Sequence, residues 1–281
     1  MTVRRDSAVR ALLRLELADA LRSRWLLFTA GTYLVVFGAF VWLGLRESSV
    51  LGFTGVSRVV LNLANVVVVV LPLVALVATT QTVVRGRSSG FFELFLTQPC
   101  RRSAWIVAAI SCRMLVVAGP LVGLLLLAAG VGWLRGEEAI AGLVLRSLGV
   151  SCALSLAFLG LGTWLSTLAR TSERAIVYAL VAWLGVSMLH DFALMGVLLQ
   201  WHLPAQLVFA LAALNPVETA RLALLGVVDP ELSLLGPVGF WLTTTLGTSG
   251  VLALGIAWPA LLGAASAWAA RIRFEHMDLV G

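Results

Sequence analysis

Residues 85–103 read RGRSSGFFELFLTQPCRRS, a charged stretch that separates two long apolar segments of the chain. Two arginines open the stretch, a Ser-Ser-Gly turn follows, and a short amphipathic block covers residues 91–96. Phe91, Leu94 and Phe95 share one face at i, i+3, i+4 spacing, which predicts a two-turn helix. A helix of that length is unstable alone in water, so it needs lipid headgroups or a partner protein to lie on. We interpret it as a docking helix on the cytoplasmic side.

Composition indicates that this stretch belongs to a membrane protein. Of the 281 residues, 60% are hydrophobic and only 12% are charged, whereas a soluble domain has about 25% charged residues. Several apolar runs reach the roughly 20 residues that a helix needs to cross a bilayer. Since no alternating pattern typical of strands is sustained, the sequence predicts an all-α integral membrane protein. The whole chain, residues 1–281, is expected to form one transmembrane domain, and composition excludes a soluble enzyme.

Six membrane-spanning helices are predicted, at residues 25–45, 59–84, 105–134, 143–168, 175–199 and 248–270. Before them, residues 4–24 place an apolar stripe opposite charged side chains, which indicates a helix lying in the headgroups. An ordinary charged lead-in to the first span is the alternative. Arg113 in span three is expected to extend towards the headgroups. Gly160 and Gly162 in span four are candidates for close helix packing.

The distribution of arginine predicts the orientation. All 20 basic residues are arginine. Fourteen lie in the N-terminal segment, the docking stretch, the loop at 169–174 and the C-terminal tail, five lie in the segments on the opposite side, and Arg113 lies in span three. The excess of basic residues on the cytoplasmic side of membrane proteins therefore places both termini and residues 85–103 in the cytoplasm of a multi-pass protein of the cell (inner) membrane. Because the arginines cluster beside spans, membrane topology explains the net charge of +6, and binding to nucleic acid is not needed to explain it.

The end of span five carries an unusual polar pair, His190-Asp191, inside an apolar run. A carboxylate in hydrocarbon is costly, so an Asp inside a span is a functional candidate. The alternative is that the span ends near His190 and both side chains are in water. Residues 203–214, which follow, are apolar but too short to cross a bilayer.

The segment from Asn215 to Glu218 has the pattern of a helix start. Asn215 is a favourable N-cap, Pro216 suits the first helical position, and Glu218 follows at the third. Glu218 and Arg221 can pair at i, i+3 spacing. We therefore predict a re-entrant helical hairpin within residues 200–248, dipping into the outer leaflet between spans five and six.

Thioether and imidazole side chains near this region raise the question of a copper site, because both suit that metal. They are Met188, His190, Met195 and His202. The seven-residue spacing of three of them is also that of an ordinary packed helix face, which is the interpretation we adopt. No metal-binding spacing joins the three cysteines, Cys100, Cys112 and Cys152. We therefore assign no metal and no cofactor to the chain.

Six spans, an amphipathic N-terminal helix and the charged segment at 85–103 together resemble the ABC-2 class of transporter permeases. Three further stretches are similar to the NosY family, the permeases of the nitrous oxide reductase maturation system: LHDFALMGVLL (189–199), LNPVETARLALL (214–225) and LLGPVGFWLTTTLG (234–247). The family commonly has Tyr-Asp where this chain has His190-Asp191, and an Asp-Val-Phe-Arg-Leu type of segment at 218–222. The Asp, Arg and Asn-Pro positions match, whereas the aromatic positions differ.

The resemblance implies an architecture like that of type V exporters. It implies a homodimer that binds two cytoplasmic ATPase subunits, in which ATP and Mg would be bound, because this chain has no Walker motif. It also implies a periplasmic accessory protein, contact with membrane lipid, and a role in assembling the copper centres of nitrous oxide reductase, with copper or a sulfur species as cargo. Two other functions stay open: an ABC-2 exporter of a lipid, drug or polysaccharide, and an ATP-independent carrier or scaffold.

Two groups of site residues follow from the resemblance. The expected ATPase-coupling residues are Arg87, Phe91, Phe92, Glu93, Leu94, Phe95, Gln98, Arg101 and Arg102. Their apolar side chains are expected to insert into a groove of the ATPase, their arginines to pair with acidic groups or phospholipid, and spans two and three to transmit the movement. The expected gate or cargo-pathway residues are His190, Asp191, Asn215, Pro216, Glu218 and Arg221.

Overall fold

The computed structural model describes residues 12–14, 16–18, 27–35, 38–39, 55–97, 102–134 and 140–278. Every regular element within these ranges is a helix. Parts of the predicted interfacial helix and of the first span fall inside them, and residues 12–14, 16–18, 27–35 and 38–39 are helical as expected. Gln98 and Arg101, two of the expected coupling residues, lie outside the described residues.

Ten helices are labelled here in chain order within the ranges from residue 55 onward. The first five are α1 (Gly55–Thr80), α2 (Thr82–Ser88), α3 (Phe91–Leu96), α4 (Arg102–Leu134) and α5 (Ile140–Leu168). The next is α6 (Ser172–Gln200), which contains a π-helical turn, Gly185–Leu189. The remaining four are α7 (Ala205–Ala213), α8 (Pro216–Val228), α9 (Pro237–Thr245) and α10 (Gly247–His276).

Five segments of the described chain are long and apolar enough to cross a membrane: Val68–Ser88, Arg102–Leu127, Ala141–Leu168, Ser172–Gln200 and Gly247–His276. They coincide with predicted spans two to six. The number rises to six if α7 and α8 form one broken span. The helix that contains span six is longer than the predicted span, which ends at residue 270, because α10 continues to His276. An ion pair between Arg271 and Glu275, 3.3 Å apart, supports the additional turns.

The core of the bundle is built around α5, which packs against α1, α4, α8 and α10. Close approach of α5 and α10 requires glycine, since a Cβ on Gly160 would collide with the backbone of Gly263. A Cβ on Gly162 would collide with Thr79 of α1. The prediction that Gly160 and Gly162 are packing positions is therefore confirmed.

The region between spans five and six is a bent helix pair. The chain direction changes by 115° between α7 and α8, which supports the predicted hairpin. One face of α8 is buried against α1, α5 and α10, including Val217, Ala220 and Leu224. By contrast, α6 is peripheral, and large side chains such as Phe192 and Leu199 are exposed on it. The hairpin is therefore part of the bundle, and its depth in the outer leaflet stays a prediction.

Candidate functional site

The docking helix, α3, is fixed to the bundle by an aromatic cluster. Gly90 precedes α3 with φ of 69°, a left-handed conformation that glycine adopts without strain and that turns the chain out of α2. The ring of Phe92 is fully buried and lies 4.9 Å from that of Trp105 and 5.3 Å from that of Phe274, between ring centroids. Gly86 of α2 makes room for it, because a Cβ there would be 2.6 Å from the Phe92 ring. The cluster joins α3 to α4 and α10.

This arrangement corrects the expected orientation of α3. Phe92 and Phe95 were expected to enter a groove of another protein, yet they are 0% and 6% exposed and pack inside this chain. Phe91 is partly buried, whereas Glu93 and Leu94 are exposed, Leu94 by 70%. Leu94 therefore does not share the contact face of the phenylalanines. The physical reason is the extra length of α10, which brings Phe274 to the level of α3.

The arginines flanking α3 bind the end of α10. Arg87 donates from Nη2 to the carbonyl oxygen of Asp278 at 3.0 Å. Arg102 donates from Nη1 to the carbonyl oxygens of Glu275 and Met277, both at 3.3 Å. The last carbonyl groups of a helix lack partners within the helix and carry partial negative charge. Both guanidinium groups were expected to pair with acidic side chains or phospholipid. Instead, Arg102 caps α10, and Arg87 binds the carbonyl oxygen of Asp278 just beyond the end of that helix.

Glu16, in the N-terminal segment, contacts α4 beside the aromatic cluster. Trp105 donates from Nε1 to Oε1 of Glu16 at 2.9 Å, and Arg113 lies 3.8 Å from Oε2 of Glu16. Arg113 also donates to the carbonyl oxygen of Ala78 at 3.1 Å. Instead of extending freely to the headgroups as expected, Arg113 binds groups inside the protein. The sequence offered no signal for this pairing, since Glu16 and Arg113 are far apart along the chain.

A second polar group joins α6, α7 and α8. Arg221 is placed between two carboxylates, with Nη1 2.8 Å from Oε1 of Glu218 and 3.5 Å from Oδ2 of Asp191. His190 lies 3.7 Å from Asp191 through Nδ1, and its Nε2 is 3.2 Å from the carbonyl oxygen of Leu211. The expected pairing of Glu218 with Arg221 is thus present, and Asp191 belongs to the same group. Arg221 thus links a carboxylate of α8 to a carboxylate of α6.

Asn215 provides the closest polar link between the hairpin and span five. Its Oδ1 accepts a hydrogen bond from the backbone nitrogen of Val217 at 2.9 Å, and Pro216 occupies the first position of α8, as the sequence predicted. Its Nδ2 donates to the carbonyl oxygen of Val186 at 2.7 Å. Val186 lies in the π-helical turn Gly185–Leu189, and such turns are frequent at functional sites. Sequence reasoning missed both the turn and this hydrogen bond.

The side chains considered as copper ligands lie on or just beyond α6, in exposed or polar surroundings. Within the described ranges, no three His, Cys, Asp or Glu side chains are placed to hold a metal ion. Met188 and Met195 are exposed on α6, by 42% and 60%. His190 faces Asp191 and the carbonyl of Leu211.

Comparison with known proteins identifies the family of the chain. A model of the family described as "ABC-2 family transporter protein" matches residues 10–279. The chain is 32% identical over 222 residues to a Pseudomonas aeruginosa protein named "Probable ABC transporter permease protein NosY", covering 77% of this chain and 81% of the relative. It is 28% identical over 231 residues to a Stutzerimonas stutzeri protein of the same name, covering 79% and 83%. The resemblance to ABC-2 and NosY permeases is confirmed, and this chain belongs to the ABC-2 family of transporter permeases.

Proposed function

We propose that this permease is driven by two cytoplasmic ATPase subunits that dock on α3. Membership of the ABC-2 family supports an ATPase partner, because the chain has no Walker motif of its own. ATP and Mg would be bound by the partner. The observation that carries the docking proposal is the exposed Leu94, presented on a helix whose aromatic side chains are fixed in the bundle. An exposed leucine on a rigid short helix suits a shallow apolar groove.

The contacts of α3 suggest how a movement would spread. Because Phe92 packs on Phe274, and Arg87 and Arg102 bind carbonyl groups at the end of α10, displacement of α3 would move span six as well as spans two and three. Packed helices move as rigid bodies rather than deforming continuously. Span six would therefore transmit the movement of α3 to the bundle, in addition to spans two and three, which the sequence suggested.

The path continues from α10 to the hairpin. Gly255 of α10 lies against the backbone of Thr219 and the side chain of Ala223 in α8, so closely that a Cβ would collide with both. The same α8 carries Glu218 and Arg221, which face Asp191 on α6. We propose that the group formed by these three residues and His190 opens and closes as α8 shifts, and that Asn215 and Pro216 set the position of α8.

The wider assembly follows the NosY family. We propose a homodimer in the cell membrane with α3 and both termini in the cytoplasm, contact with lipid along the exposed helices, and a periplasmic accessory protein on the α7–α8 side. Transport would serve the maturation of the copper centres of nitrous oxide reductase, with copper or a sulfur species as the cargo. The similarity to the two NosY relatives supports this role.

Leu94 provides the direct test of docking. Leu94→Asp should reduce co-purification of the ATPase at least tenfold, because it places a charge in an apolar contact. Leu94→Ala, which only removes the exposed apolar side chain, should also lower ATPase recovery, whereas its control Leu261→Ala, at a leucine that is exposed by 63% on α10, should leave it unchanged. Undiminished ATPase recovery with Leu94→Asp, in membranes that contain normal amounts of the permease, would contradict the proposal.

A further inference from the structure

We propose that a cavity between α5, α8 and α10, at the end of the bundle opposite α3, binds a phosphate group. The cavity has a volume of about 390 Å³, which is sufficient for a phosphate and part of a headgroup. Its lining combines one cation, two hydroxyl groups and small or apolar residues: Arg146, Gly226, Val227, Thr248, Ser249 and Leu252. The chemistry that these groups share is recognition of a tetrahedral oxyanion, carried either by a lipid headgroup or by free phosphate.

Arg146 supplies the charge. Its side chain is exposed, and within the described part of the chain it has no ion-pair partner and donates no hydrogen bond. This distinguishes it from Arg87, Arg102 and Arg221, whose guanidinium groups bind carbonyl groups or carboxylates. A guanidinium presents paired N–H donors that match two oxygens of a phosphate. A cation beside a cavity with unused donors favours an anionic ligand.

The opposite wall adds further donors. Thr248 and Ser249 lie in the first turn of α10, a helix of 30 residues, and their hydroxyl groups have no hydrogen-bond partner among the described residues. Leu246 at the N-cap position cannot supply a side-chain cap. The first N–H groups of α10 therefore lack a side-chain acceptor at the wall that faces Arg146. They strengthen an oxyanion site that already has a cation and a cavity.

The nearest acidic side chain on the wall formed by α8 is already engaged. Asp229 follows Val227 by two residues, and its carboxylate accepts hydrogen bonds from the backbone nitrogens of Glu231 at 3.2 Å and Ser233 at 2.8 Å. It also accepts the hydroxyl proton of Ser233 at 2.7 Å. Asp229 thus ends α8 and organises the following turn, and it forms no ion pair with Arg146.

The position of Arg146 along α5 agrees with headgroup phosphate. With 29 residues, α5 is about 43 Å long, whereas the hydrocarbon core is about 30 Å thick. Arg146 is six residues from the first residue of α5, which corresponds to about 9 Å. Its Cα therefore lies near the edge of the hydrocarbon core, and the long side chain can reach the phosphate level.

The test compares lipid and free anion on the purified full-length protein. Native mass spectrometry with phosphatidylglycerol, and with diacylglycerol of the same acyl chains as the lipid lacking phosphate, measures retained lipid. A thermal shift with inorganic phosphate on delipidated protein measures the free anion. The variants are Arg146→Ala, Arg146→Gln in case the alanine variant does not fold, and Arg146→Lys. Arg174→Ala is the control, an exposed arginine at the other end of the bundle.

If the site holds a lipid phosphate, retention of phosphatidylglycerol should fall about tenfold in Arg146→Ala or Arg146→Gln. Arg146→Lys should retain an intermediate amount, and Arg174→Ala should match the unaltered protein. If it holds free phosphate, stabilisation by inorganic phosphate should be lost with the same variants. Equal lipid retention and an equal phosphate response in the unaltered protein and the Arg146 variants would overturn the proposal. Neither measurement depends on the proposed ATPase.

Discussion

The side chain of Asn215 donates a hydrogen bond to the carbonyl oxygen of Val186 at 2.7 Å, across the contact between the hairpin and span five. The same side chain caps α8 through its other terminal atom. One amide thus sets the start of α8 and holds it to the π-helical turn of α6. Because Asn215 is only 3% exposed, loss of either hydrogen bond leaves a buried polar group unpaired.

Replacements of Asn215 should separate these two contributions. Asn215→Ala removes both hydrogen bonds and should lower the free energy of unfolding by about 2–4 kcal/mol. Asn215→Asp keeps an N-cap acceptor but replaces the donor to Val186 by a carboxylate oxygen facing the carbonyl oxygen in a buried position, so it should be less stable than the unaltered protein although the cap is retained. Thermal unfolding in detergent measures both. Equal stability of Asn215→Asp and the unaltered protein would mean that the hydrogen bond to Val186 adds nothing.

The carboxylates around Arg221 should be energetically coupled. Arg221→Ala leaves Glu218 near Asp191 without the cation, so it should destabilise the protein more than Arg221→Ala combined with Glu218→Gln. The partial exposure of Arg221, 35%, limits the expected coupling to about 1 kcal/mol. A double-mutant cycle measured by thermal unfolding gives this value. Strict additivity would show that the two side chains act independently.

Asp191 should matter more for transport than for folding. Asp191→Asn keeps the shape of the side chain, and Arg221 keeps its ion pair with Glu218. Under the proposed role in maturing nitrous oxide reductase, we expect normal amounts of protein in the membrane but impaired maturation, measured by the visible absorption of the copper centres of that enzyme. Met195→Leu is a suitable control on the exposed surface of α6. Normal absorption with Asp191→Asn would assign the residue a structural role only.

Gly86 should be needed for the close packing of Phe92, and so of α3, against the bundle. Gly86→Ala places a methyl group 2.6 Å from the ring of Phe92, and such overpacking costs about 1–3 kcal/mol. Adding Phe92→Leu should restore part of the loss, because the smaller side chain leaves room. Limited proteolysis between α2 and α4, together with thermal unfolding, measures the effect. A Gly86→Ala protein that is as stable and as protease-resistant as the original would contradict this packing.

Two glycines inside helices should respond differently to replacement by alanine, because only one of them lies against a neighbouring backbone. Gly160→Ala should destabilise the bundle by more than about 1 kcal/mol, since its Cβ would collide with the backbone of Gly263 on α10. Gly123→Ala in α4 meets nothing within 4 Å, so the better helix propensity of alanine should leave stability unchanged or raise it by about 0.5–1 kcal/mol. Thermal unfolding of the two variants side by side tests the α5–α10 contact.

The amino-acid sequence by itself determined the features that depend on composition and local spacing. Runs of apolar residues show that the chain is a helical membrane protein and where spans two to six lie. The cap of Asn215 and the ion pair between Glu218 and Arg221 follow from positions two and three residues apart. In the cap and in the ion pair, the two residues lie within one helical turn of each other. Their pairing could therefore be predicted without knowledge of neighbouring helices.

Only the tertiary structure decided which way the side chains of these helices face. Phe92 points inward because α10 brings Phe274 beside it, and Arg87 binds the end of the same helix. Likewise, Asp191 meets Arg221, 30 residues away, only because the chain turns by 115° between α7 and α8 and so returns Arg221 to the level of Asp191. An amphipathic pattern defines an apolar face but not the surface that it contacts, since that surface comes from a distant part of the chain.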